Sequence, residues 1–155
     1  MDDAPAKTPP ATTADLLQRI HSSWETFITS LDGLADELLL EPGAVGEWSL
    51  KNLFGHIALW DDLGRENVAL ALAGNPRSFD DYQELNDADH EARLHRTLDE
   101  ERAAMQQSHA ALVAELEAHD NTGVTAIDAA IEGSTYGHYA EHLPDVRAWR
   151  ERHRA

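Results

Sequence analysis

His138 and His142 stand four positions apart in Gly137-His138-Tyr139-Ala140-Glu141-His142. On a helix that spacing stacks two imidazoles on one face, the arrangement by which paired histidines chelate a metal ion. Nine histidines in 155 residues produce about half such a pair by chance, so direction carries more weight than spacing. At 100° per residue from Ile131, His138 falls near −20°, His142 near 20° and Trp149 near 0°. Both histidines are thereby centred in an apolar stripe, where imidazole nitrogens need partners. A third, His56, lies at about −60° from Leu53, between Trp60 and Leu63 at the edge of a buried arc. Three inward-leaning histidines on two helices can meet inside a bundle, which is where such folds build metal sites. They suit zinc, nickel or iron and leave one coordination position open. Three separate core histidines, each hydrogen-bonded on its own, are the alternative, and periodicity leaves both readings open.

The remaining candidates are weaker. His21 flanks the stripe of the first helix beside Trp24, His90 and His109 border that of the third, and His95 lies off it. His119 and His153, with Arg147, Arg150, Arg152 and Arg154, fall near helix ends, where a cation opposes the C-terminal dipole. Asp61, five positions after His56, is a carboxylate that could orient a ligand from behind. Glu141 falls off the face of the histidine pair and is assigned no role; no catalytic residue is assigned. Gly133 and Gly137, four apart, suggest a close helix crossing. Pro144 removes a backbone bond to Ala140 and should bend the helix just after His142.

These side chains need elements to hold them. Residues 1–12 contain three prolines and almost nothing to bury, which predicts a disordered tail ahead of one domain over 13–155. Leu16, Ile20, Trp24, Phe27 and Leu31 give a first helix after Thr12/Thr13, stopping near Gly33. Ser49 is the expected N-cap of a second, with Trp48 and Leu53 as a hydrophobic staple, running to about Ala73 before Gly74-Asn75-Pro76. Asn86 is expected to cap a third, striped by Leu94, Leu98, Met105, Leu112 and Leu116. A fourth runs from Val124 to His153. The stretch from Gly74 to Leu85 can just span a helix of ~25 residues, so the expected fold is an all-α four-helix bundle with a long crossover between helices 2 and 3. A plain up-down-up-down bundle with a floppy loop stays open.

Composition removes whole classes of function. With no cysteine, disulfides, thiolate metal ligands and a cysteine nucleophile are impossible. Twelve basic against 29 acidic side chains leave a net charge of −17, which repels phosphate backbones, so nucleic acid is not expected as a partner. No apolar run approaches ~18 residues, so no membrane association is expected. Met1-Asp2-Asp3-Ala4-Pro5 lacks the basic and apolar regions of a secretory signal, and a cytoplasmic location is expected.

Three motifs in register resemble one family. Gly46-Glu47-Trp48-Ser49-Leu50-Lys51-Asn52-Leu53-Phe54-Gly55-His56-Ile57-Ala58-Leu59-Trp60-Asp61 is similar to the helix 2 signature of the DinB/YfiT-like superfamily: a Trp-Ser cap, a histidine seven residues after the Ser, and a Trp four beyond. Leu85-Asn86 resembles its element after the crossover, and Tyr136-Gly137-His138-Tyr139-Ala140-Glu141-His142-Leu143 its helix 4 His-x-x-x-His. The similarity extends over residues 13–153; Pro144 departs from the pattern. The resemblance implies a four-helix bundle, often dimeric, that holds one divalent metal on three histidines, here His56, His138 and His142. Related branches are metal-dependent transferases and isomerases using bacillithiol or mycothiol, maleylpyruvate isomerase among them, and colibactin self-resistance proteins acting as hydrolases. The implied function is a divalent-metal-dependent enzyme of transferase or hydrolase type, activating water or a low-molecular-weight thiol toward a small-molecule substrate as a homodimer. A non-catalytic, stress-related metal- or ligand-binding bundle is the alternative.

Overall fold

The computed structural model describes residues 8–154, and among them every regular element is helical. Helix α1 spans Thr13–Ser30, α2 Asp36–Leu40, α3 Leu50–Leu72, α4 Tyr82–Ala92, α5 Leu98–Glu117, α6 Val124–Ile131 and α7 Tyr136–Arg152, with a 3₁₀ turn at Glu132–Ser134 between the last two. Four rods make the bundle: α1, α3, α5 and the interrupted α6–α7. Its main contacts run between α3 and α5, between α1 and α7, and between α6 and α3. Leu16, Ile20, Leu53, Ile57, Leu112 and Ile131 fill the centre and are fully buried, each such side chain contributing roughly 1.5–3 kcal/mol of apolar burial. The architecture is the expected all-α bundle with a long crossover.

Of the expected tail, residues 1–7 lie outside the described residues, as does Ala155. Residues 8–12 lie close to α1: Pro10 is buried, Arg19 donates to the Thr8 carbonyl, and the Thr12 hydroxyl caps α1 by accepting from the Asp15 amide at 3.1 Å. Helix α3 begins where expected. The Ser49 hydroxyl accepts from the Asn52 amide at 3.1 Å while Asn52 Oδ1 accepts from the Ser49 amide at 3.0 Å, a reciprocal box that satisfies two amides.

Two helices depart from expectation. The third is two pieces. Thr97 and Glu100 form a second capping box that starts α5 afresh, and Leu94, expected in its stripe, is 57% exposed in the break. Asn86 therefore lies inside α4 and caps nothing. The crossover is not bare chain, since α4 forms within it. Buried Asn67 on α3 ties its first part down, accepting from the Arg77 amide at 2.7 Å and donating to the carbonyls of Arg77 and Ala130, both at 3.2 Å.

The fourth helix breaks at Glu132–Thr135. There the Ser134 and Thr135 hydroxyls both donate to the Ile131 carbonyl, at 3.2 and 2.7 Å, and Thr135 leaves helical geometry with φ −119° and ψ −106°. Hydroxyls competing for backbone acceptors, rather than Pro144, interrupt this rod, and α7 continues through Pro144 to Arg152. The two glycines serve this bend and not a crossing. Nothing approaches a Cβ position on Gly133, and one on Gly137 would meet the Glu132 carbonyl at 2.9 Å.

Candidate metal centre

The cap at Ser49 places His56 in the second turn of α3, facing α7, whose restart at Tyr136 places His138 in its first turn and His142 one turn later. The three rings converge through their Nε2 atoms: His138 Nε2 lies 3.0 Å from that of His56 and 3.1 Å from that of His142. The rings meet edge to face, at interplanar angles of 70–86°, so no two stack and the Nε2 atoms face one another. His56 and His138 are buried and His142 nearly so. The sequence-expected trio is thus brought together.

This cluster fits a divalent ion. Among the described residues it is the one group of three or more histidine or acidic side chains with all ligand atoms within 4.8 Å of each other. Tetrahedral coordination at about 2.0–2.1 Å would put neighbouring nitrogens about 3.3–3.4 Å apart, close to the spacing seen. His142 Nδ1 lies 3.0 Å from Asp145 Oδ2, a carboxylate that holds the proton on Nδ1 and leaves the Nε2 lone pair free. Burial, with the neighbouring His142 and His90 adding to it, lowers the His56 pKa to about 4; burial also pushes His138 well below its ordinary value. His56 and His138 are therefore neutral near pH 7, as metal ligands must be. His138 Nδ1 is buried without a hydrogen-bond partner, so Nε2 carries that ring's polar contacts.

The trio lies on the wall of a cavity of about 510 Å³. Trp48, Trp60 and Tyr82 bring aromatic surface to it, and Glu141 lines it as well. Trp60 is fixed by donating from Nε1 to Asn86 Oδ1 at 2.7 Å, and Trp48 by stacking on His90 with ring centres 4.9 Å apart. Glu141, set aside in the sequence because it lies off the histidine face, reaches the same cavity: a face one turn wide still admits its flank.

Asp61 is not behind the histidines. It is fully buried, and its carboxyl oxygens accept from the Tyr139 hydroxyl at 2.7 and 2.8 Å. With that proton given to Asp61, the Tyr139 oxygen accepts from His109 Nδ1–H at 3.0 Å. His109 lies flat on Trp24, ring centres 3.8 Å apart. Burial raises Asp61 well above the usual carboxylate range and lowers His109 to about 4. This Asp–Tyr–His chain ties α3, α7 and α5 together one residue from His138. The role expected for Asp61 belongs to Asp145, legible as a carboxylate three residues after a helical histidine. Two further histidines pair elsewhere: His119 lies 3.5 Å from Glu115, and His153 Nδ1 donates to the Trp149 carbonyl at 2.9 Å.

A family model described as the DinB superfamily matches residues 5–152. No curated relative matches the chain. Two solved structures share the fold. One is an uncharacterised protein from Escherichia coli UTI89, 18% identical, covering 93% of this chain and 95% of that one, with a TM-score of 0.72. The other is the colibactin self-resistance protein ClbS in complex with a dsDNA, 16% identical, covering 92% and 97%, with a TM-score of 0.74. That a protein of this fold is seen on duplex DNA overturns the expectation that nucleic acid is excluded. Net charge is a sum over the whole surface, whereas a duplex is gripped by a local patch. No helix among the described residues is long and apolar enough to cross a membrane.

Proposed function

The chain belongs to the DinB superfamily, and from its three-histidine centre we propose that it is a divalent-metal-dependent enzyme of transferase or hydrolase type acting on a small molecule. The convergence of three Nε2 atoms on the wall of an aromatic cavity carries this reading. A divalent ion bound there supplies Lewis acidity and lowers the pKa of water or a thiol. His56, His138 and His142 would hold it through their Nε2 atoms, with Asp145 fixing the ring of His142. Three protein ligands leave a position for the reacting group. Trp48 and Trp60 line the cavity beside the histidines, and Glu141 is the carboxylate in that lining able to accept a proton. With no cysteine in the chain, any thiol that reacts arrives as a separate small molecule.

Metal content after purification without a histidine tag tests the proposal. About one zinc, nickel or iron per chain is expected in the wild type, with loss of at least tenfold in affinity on His142→Ala. Substoichiometric metal indifferent to that substitution would overturn it. A thiol-transfer assay against small electrophiles then separates transferase from hydrolase chemistry. A second reading rests on the duplex bound to ClbS: this chain is a DNA ligand. Fluorescence anisotropy with a labelled duplex across a salt series decides it, because phosphate contacts give affinity that falls steeply with salt.

A further inference from the structure

The same cavity says which charge its substrate can carry. Among the described residues no lysine or arginine lines it. Arg93, in the adjoining cleft behind Trp48 and Asn86, is already held by Asp89 at 2.8 Å and Glu101 at 2.9 Å. Among the described residues Glu141 is the one acidic side chain in the lining, so the local charge there favours cations over anions. A carboxylate or phosphate reaching away from the histidines would find no cationic partner there to offset the water it loses.

The walls favour flat groups. Trp60 is held at its indole nitrogen by Asn86 and touched edge-on by Phe79, ring centres 5.0 Å apart. Trp48 rests between the face of His90 and the edge of His56. Both indoles are thus fixed before any ligand arrives, so stacking on them costs little ordering. Indole faces also attract ammonium and guanidinium groups. Rigid aromatic walls and a lone carboxylate make a coherent pair of preferences.

We propose that this cavity selects a planar substrate that is uncharged or positively charged, an aromatic or amide-bearing amine whose N–H groups meet Glu141, and that it discriminates against dicarboxylates. The inference rests on reading the cavity as the substrate site, but its test does not depend on the metal.

Three probes of one shape serve: 2-naphthylmethylamine, 2-naphthalenemethanol and 2-naphthoate, measured by calorimetry on the protein as purified and again after chelation. In the chelated protein the amine is expected to bind about tenfold tighter than naphthoate. Glu141→Gln should remove most of that preference while leaving the alcohol within about twofold, since Glu141 is exposed and the fold does not depend on it. Trp60→Phe should weaken all three. Naphthoate binding the chelated wild type as tightly as the amine, or a preference unchanged in Glu141→Gln, would overturn the proposal. A chain that holds no metal yet keeps the amine preference would sink the enzyme reading and leave this one standing.

Discussion

Tyr139 and His138 are neighbours with opposite duties. His138 turns its Nε2 to two other histidines, while Tyr139 points the other way into the Asp61–His109 chain. Tyr139→Phe would leave the Asp61 carboxyl buried without its donor, and a loss of about 1–3 kcal/mol is expected in urea unfolding. His109 gives a pH signature. The unfolded chain protonates this imidazole near 6.5, while burial holds the folded one to about 4. Protons therefore favour the unfolded state across that window, and stability should fall as pH drops from about 6.5 to about 4. Thermal melts of the metal-free protein check this, and His109→Phe, which can keep the stack on Trp24, should flatten the slope. At this scale the sequence revealed the His138/His142 pair through its period and His56 through its angle from Leu53 at the edge of the buried arc. It concealed the Asp61–Tyr139 bond, because nothing local says that two residues 78 apart will share a proton.

Elements were legible where caps are local and illegible where helices stop for tertiary reasons. Ser49, with Trp48 and Leu53 as its staple, announced α3, and α3 begins there. Thr97 and Glu100 carried the same kind of signal, but a continuous apolar stripe through Leu94 masked it. The break at Ser134 and Thr135 was masked in the same way, since hydroxyls back-bonding to Ile131 leave no mark on hydrophobic period. The wheel drawn from Ile131 therefore crossed a discontinuity, and the histidine pair faces inward because α7 keeps its own stripe through Val146 and Trp149. Gly55 shows how tightly α3 meets α5. A Cβ there would come within 2.7 Å of Glu101 Oε2 and 2.8 Å of Arg93 Cδ, and Glu101 is buried with Arg93 and Arg96 both 2.9 Å away. Gly55→Ala should accordingly destabilise the fold by about 1–3 kcal/mol despite the better helix propensity of alanine. Chemical denaturation reads the sign.

For the molecule as a whole, 29 acidic against 12 basic side chains oppose compaction by self-repulsion. Raising sodium chloride from low ionic strength should raise the melting temperature, because a Debye length of about 10 Å at 0.1 M screens surface charges from one another. Chelation should lower it if an ion binds the folded histidines preferentially. Differential scanning calorimetry separates the two, since screening acts on the His142→Ala variant as well and chelation does not.

Helix α4 buries none of its own residues, yet it contributes Tyr82, Gln83 and Asn86 to the cavity. It is moored by side chains: Asn86 to Trp60, His90 against Trp48, and Arg93 to Glu101. Between those moorings its sequence answers to no core. A library randomised at Tyr82 and Gln83 should therefore reshape the cavity wall while leaving folding and the histidine cluster intact. One wall of the cavity thus rests on an interchangeable part, which can vary without the bundle being rebuilt.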